Sequence, residues 1–179
     1  TTVNIVYDDG SVKPASVTWE NIDPSKYAQP GSFTITGTVS GIRYKAIATV
    51  AVTSLINYVQ NPGFEDGSLT NWNVSGDTSA VKIDKNAANA HSGKYSLNYW
   101  SDSAFTVTIS QTITGLKNGY YQLSAYVDGG GGENSLQLFA SDYGDSKLTA
   151  DVHNSGWLVW QHPTIPLIKV TNGQVTVGL

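Results

Sequence analysis

The chain has 179 residues, enough for one sizeable domain or two small ones, and only 13% of them are charged, about half the usual share. A formal charge of −4 without any Lys/Arg cluster excludes the basic footprint that nucleic acid or an anionic membrane needs, so a neutral, hydroxyl-bearing partner fits better. The absence of cysteine excludes disulfides, a thiolate nucleophile and zinc–sulfur sites, and no apolar run approaches the roughly 20 residues of a membrane span.

Short alternating runs broken by Gly, Asn, Asp and Ser, with hardly a stretch of helical period, predict an all-β chain. In the first unit, strands are expected at residues 3–7, 17–19, 32–39 and 44–52, with turns at Asp8-Asp9-Gly10 and Ser40-Gly41. Phe33, Ile35 and Gly37 alternate with Thr34, Thr36 and Thr38, and Ala46, Ala48, Val50 and Val52 alternate in the closing strand, which predicts one buried face of a small sandwich. Trp19 and Tyr27 read as core anchors. The pattern YDDGS, VTWENID, YAQPGSFTITGTVSG and AIATVAV resembles the bacterial Ig-like domains of the fourth group, spacers in secreted glycosidases. The resemblance covers residues 1–53 and implies a presenting role without chemistry. Residues 53–57 would be a short joint.

The second unit is expected over residues 56–179, with nine strands at 56–59, 81–84, 95–100, 105–113, 119–127, 135–140, 157–160, 165–170 and 174–179. So many short strands with polar turns predict a β-jelly roll. Its opening run NPGFEDGSLTNW, at 61–72, lets the chain turn at Pro62-Gly63, plugs one end with Phe64, offers the Glu65 carboxylate near the turn and caps the core with Trp72.

Alternation also sorts the aromatics. Between Tyr95 and Trp100, Leu97 inward leaves Ser96, Asn98 and Trp100 outward. Leu123, Ala125 and Val127 inward leave Gln122, Ser124, Tyr126 and Asp128 outward, and Leu136, Leu138 and Ala140 inward leave Gln137 and Phe139 outward. A face mixing aromatic rings with amides and carboxylates has the chemistry of a sugar platform, since rings stack on the apolar patch of a pyranose and amides pair with its hydroxyls. Asn98, Trp100, Tyr126, Asp128, Gln137 and Trp160 are the candidate ligand contacts, with Trp100 as the anchor. The bland alternative is that these rings only cover the sheet. Trp72 and Trp157 read as core, and the DGGGGE run at 128–133 reads as a hairpin whose bare backbone lets a ligand approach.

The opening run, HSGKYSL at 91–97, SQTITGLKNGYYQLSAYVDGGGGE, LFASDYGD, GWLVW and IKVTNGQVTVGL together resemble carbohydrate-binding module family sixty-one. The resemblance implies a secreted bacterial, non-catalytic jelly roll that binds β-1,4-galactan and targets a covalently linked glycoside hydrolase, an endo-β-1,4-galactanase. It also implies a structural Ca²⁺ held by Glu65 and by backbone oxygens around Ser92 and Lys94, together with a last-strand Asp that has no counterpart here. The alternative is that Glu65 meets turn N–H groups. The resemblance places one more strand, bearing an aromatic and paired Asp residues, after Gly178-Leu179. The expectation is that this strand comes from residues beyond Leu179, or from a second chain pairing along 174–179; the lack of Met, even at position 1, likewise reads as an excised piece.

Catalysis finds little support. His91, His153 and His162 lack metalloprotease spacing, and Asp128, Glu133, Asp142 and Asp145 lie in Gly-rich turns without a visible pair. Three rivals stay open: a module for xylan or arabinogalactan, an adhesive surface protein binding protein through its sheet edge, and a small glycoside hydrolase or lyase.

Overall fold

In the computed structural model, which describes residues 1–179, the alternating runs of the first unit form four strands: β1 (Thr2–Val6), β2 (Val12–Trp19), β3 (Gly31–Val39) and β4 (Lys45–Val52). They make an antiparallel sheet in that order. β2 starts earlier than its apolar pattern announces, because it serves two ladders in succession. Residues 12–16 pair with β1, and Val17, Thr18 and Trp19 pair with β3. Pro14 is tolerated in the first stretch, where the strand has a neighbour on one side only.

Val17, Ile35 and Val39 are buried, with Phe33, Ala46, Ala48, Val50 and Val52 half-buried on the alternation read from sequence. Gly37 is required by packing: a Cβ there would strike Val17 and sit 2.8 Å from the Cε3 of Trp19. Trp19 is therefore an anchor of this layer. Tyr27 is not, being 52% exposed at the end of a 3-10 turn, Pro24–Tyr27, that Asp23 caps by accepting from the Ser25 N–H at 2.9 Å. The cap and Pro24 fix that turn locally, without help from the tyrosine ring.

The second compact unit, Tyr58–Leu179, contains β5 (Asn73–Gly76), β6 (Val81–Asp84), β7 (Ser96–Tyr99), β8 (Val107–Thr114), β9 (Gly119–Ser124) and β10 (Val127–Gly129). It continues with β11 (Gln137–Ser141), β12 (Leu148–Asp151), β13 (Gly156–Gln161), β14 (Thr164–Val170) and β15 (Gln174–Gly178). One layer is a five-stranded sheet in the order β12-β11-β15-β8-β5; the remaining strands pair as β9 with β14, β10 with β13 and β6 with β7. Ile165, Ile168 and Val170 of β14 pack against Ala140, Val175 and Val177 of the five-stranded sheet, with Leu116 and Tyr143 closing the cluster. This is a β-sandwich whose core lies between two layers.

Two strand expectations need correction. The run at 119–127 is broken into β9 and β10, because Pro163 opposite the break has no N–H to give; only its carbonyl bridges the ladders, accepting from Ala125 at 3.3 Å. Residues 56–59 form no strand.

The expectation of a second chain pairing along 174–179 also fails. β15 is an interior strand, with Gln174 through Gly178 in register with β8 and Gly178, Val177 and Thr176 in register with β11. Leu179 exchanges both backbone hydrogen bonds with Ile109 at 3.0 Å. No edge is open there.

Candidate functional site

A stack of aromatic rings stands at the junction of β10 and β13. Tyr126 lies between His91 and His162, with centroids 3.6 Å and 4.3 Å away and planes within 8° and 11° of parallel. Trp160 meets the other side of His91 edge-on at 5.1 Å and 76°. Three chain segments thus converge: the loop before β7 supplies His91, the break between β9 and β10 supplies Tyr126, and β13 with the residue after it supplies Trp160 and His162. Both faces of Tyr126 are covered. Tyr126 is still 52% exposed, so its edge and hydroxyl are open to a sugar while its two faces are taken.

Trp100 stands outside this stack and is 65% exposed, as its alternation predicts. Its backbone N–H donates to the Ala80 carbonyl at 2.8 Å, which carries the β6–β7 ladder one residue past Tyr99 and fixes the base of the indole. Asn98 shares the outer face of β7, opposite Lys82 in the ladder; it is half-buried and its Oδ1 has no donor. Tyr99 points the other way, and burial pushes its phenol well above the usual range.

The bulge between β10 and β13 decides several other roles. Val127 pairs with Gln161 and Gly129 with Gly156, so Asp128 alone faces residues 157–160. Its carboxylate accepts from the Leu158 N–H at 2.5 Å, supporting a residue held at φ +62°. Asp128 is therefore a support of the bulge. Trp157 is 53% exposed, which corrects its expected place in the core, and Leu158 and Val159 are exposed beside it.

Gln137 lies elsewhere. It alternates with buried Leu138 on the outer face of the five-stranded sheet and donates to Asp151 Oδ1 at 2.7 Å across the β11–β12 ladder, so it does not join Tyr126 and Trp160. Phe139 on the same face covers Gly178 and carries the Lys147 ammonium 4.2 Å from its centroid. Trp72 is half-buried as expected, 5.4 Å from Phe64, its indole N–H donating to the Asn61 carbonyl at 3.1 Å.

Glu65 accepts from two backbone N–H groups. The Lys94 N–H lies 3.0 Å from both of its oxygens, and the Tyr95 N–H donates to Oε1 at 3.2 Å. Gly93, at φ +76°, brings that backbone so close that any Cβ would overlap the carboxylate. Asp66 is committed to Asn61 and Ser68. No group of three His, Asp or Glu side chains gathers anywhere in the chain. Ca²⁺ takes six to eight oxygens, backbone carbonyls among them; at this turn Glu65 is the side-chain oxygen donor, and its partners in the structure are the N–H groups of residues 94 and 95.

Comparison with known proteins places these features. A model of the bacterial Ig-like domain (group 4) matches residues 1–42, and one described as endo-α-N-acetylgalactosaminidase, domain 5, matches residues 59–155, more than half the chain. The solved structure of TmCBM61 in complex with β-1,4-galactotriose is 38% identical, with a TM-score of 0.63 over 69% of this chain and 86% of that one. The chain is a member of carbohydrate-binding module family 61, preceded by a bacterial Ig-like domain. A bacteriophage CBA120 tailspike protein, 16% identical with a TM-score of 0.52 over 71% of this chain and 19% of that one, shares the fold alone. A 1,6-α-glucosyltransferase of Sporosarcina globispora is 31% identical over 137 residues; the match covers 68% of this chain, which spans about a tenth of that relative's length.

In the family 61 module the ring stack contains two candidate contacts of the sequence, Tyr126 and Trp160, together with His91 and His162, to which the sequence assigned no such place. Both histidines follow strand or loop residues with no motif spacing, and only the fold brings them to one ring. A weak signal existed in Pro163: a strand that breaks there turns its neighbour His162 toward the partner strand's break at Ala125.

Proposed function

We propose that the family 61 module binds β-1,4-galactan without chemistry, stacking the apolar face of a galactosyl residue on Trp100 and taking polar contacts from Asn98 and the edge of the His91–Tyr126–His162 stack. The observation that carries this reading is the exposure of the Trp100 indole on a fixed backbone. The 38% identity to a module solved with β-1,4-galactotriose supports the choice of sugar. That the chain spans about a tenth of an enzyme relative supports a module joined to a longer carbohydrate-active protein; we extend the proposal to a secreted, extracellular protein whose linked glycoside hydrolase, an endo-β-1,4-galactanase, is held near its polymer.

Affinity electrophoresis against galactan, xylan and arabinogalactan, with a reducing-sugar assay alongside, tests this. Retardation by galactan without product release is expected; retardation by xylan alone, or release of sugar, contradicts it.

A further inference from the structure

A cleft of about 420 Å³ opens at the end of the β10–β13 ribbon remote from the ring stack. It lies between the 130–136 loop and the 152–155 loop. Its base is tied by the Val152 N–H donating to the Leu136 carbonyl at 2.9 Å and by the Gln137–Asp151 bond; its rim is strapped by the Asn154 Nδ2 donating to Glu133 Oε1 at 2.5 Å. Gly129 is the last paired residue of β10, and the Asn154 amide packs so closely over it that no Cβ fits. The lining includes Glu133, Asn134, Ser135, Asp151, His153 and Asn154, with no Lys or Arg.

We infer that this cleft is a second saccharide subsite, taking a further galactosyl residue of a chain that runs along β13 from the ring stack, past Trp157. Carboxylates without a cation exclude an anionic ligand, and an acceptor-rich wall of amide, hydroxyl and carboxylate groups suits the hydroxyls of a neutral sugar. Asn154 Oδ1, on the residue that lines the cleft, is buried without a donor. Gly130 has neither a positive φ nor any protein atom within 4 Å of its Cβ position, so its bare backbone is open to a ligand on that side. Trp157 follows Gly156 directly and is exposed, which sets an apolar ring next to the polar cleft.

This inference rests on the galactan reading, and one experiment separates their failures. The full chain is titrated by calorimetry with β-1,4-galactotriose and with a long β-1,4-galacto-oligosaccharide, as wild type, Glu133→Gln and Ser135→Tyr, while ¹⁵N spectra follow the amides of Gly130, Gly131 and His153. The subsite predicts tighter binding of the long chain, shifts at those amides with the long chain, and a roughly tenfold loss for the long chain in both variants with galactotriose unchanged. If the wild type binds both sugars equally and the loop amides stay still, the subsite is wrong and the galactan reading stands. If the wild type binds neither sugar, both fall.

Discussion

The imidazole of His91 lies parallel to the phenol ring of Tyr126, 3.6 Å from it between centroids, and His162 covers the opposite face. Both faces of Tyr126 are thereby taken, whereas the Trp100 indole, 65% exposed, is in no ring stack, and on the proposed function it is the ring that binds. Trp100→Ala should weaken galactan binding by about 1–3 kcal/mol without lowering the melting temperature. A mutant that melts early but keeps its affinity would place Trp100 in the fold and not in the site.

Tyr126→Ala, in contrast, should lower stability. Removing the middle of a stack takes away two ring contacts, each contributing about 0.5–1.5 kcal/mol beyond burial, so the module should lose about 1–3 kcal/mol of stability. Urea unfolding of the module measures this. An unchanged midpoint would mean that the three rings contribute nothing by meeting.

Glu65→Gln should destabilise the module, since an ionised acceptor of two backbone N–H groups becomes a neutral one, at about 1–3 kcal/mol. Gly93→Ala should be worse, because it forces a Cβ into the carboxylate at a positive φ. The melting loss in Glu65→Gln should be equal in EDTA and in Ca²⁺. A wild-type melting temperature that rises with Ca²⁺, with the rise absent in Glu65→Gln, would show instead that the turn rearranges around a metal.

The Ig-like unit should weaken in acid. Glu20 accepts from the Thr36 backbone N–H at 3.0 Å and its hydroxyl at 2.9 Å, which holds its carboxyl below the usual 4.5. Ser11 lowers Asp9 and Ser25 lowers Asp23 in the same way. A carboxyl depressed on folding contributes stability above its unfolded pKa and loses it as pH falls through the folded one, so unfolding midpoints should drop below about pH 4.5. Glu20→Gln should flatten that decline; an equally steep decline would assign it to other groups.

Strands and their faces were legible wherever one side is buried. Ile35 and Val39 alternate with threonines, and Leu138 and Ala140 with the outward Gln137, Phe139 and Ser141, because each strand packs a single face. Position in the sheet was less so: 174–178 looks like an edge in the sequence, and only long-range pairing with β8 and β11 makes it interior. Trp157 was misjudged for a local reason. The bulge opposite Asp128 and the positive φ of Leu158 abolish the alternation there, so neighbouring Trp157, Leu158 and Val159 are all exposed. Gln137 was placed on the correct face of its strand but in the wrong layer for the site, since alternation tells which way a side chain points and not which sheet it belongs to.

Calorimetry of the intact chain with β-1,4-galactotriose tests the central claim most directly. The account predicts one-site binding with a dissociation constant between about a micromolar and a millimolar, about −8 to −4 kcal/mol, lost in Trp100→Ala. Absence of heat with galactotriose, while xylo-oligosaccharides or a protein partner bind, would contradict it.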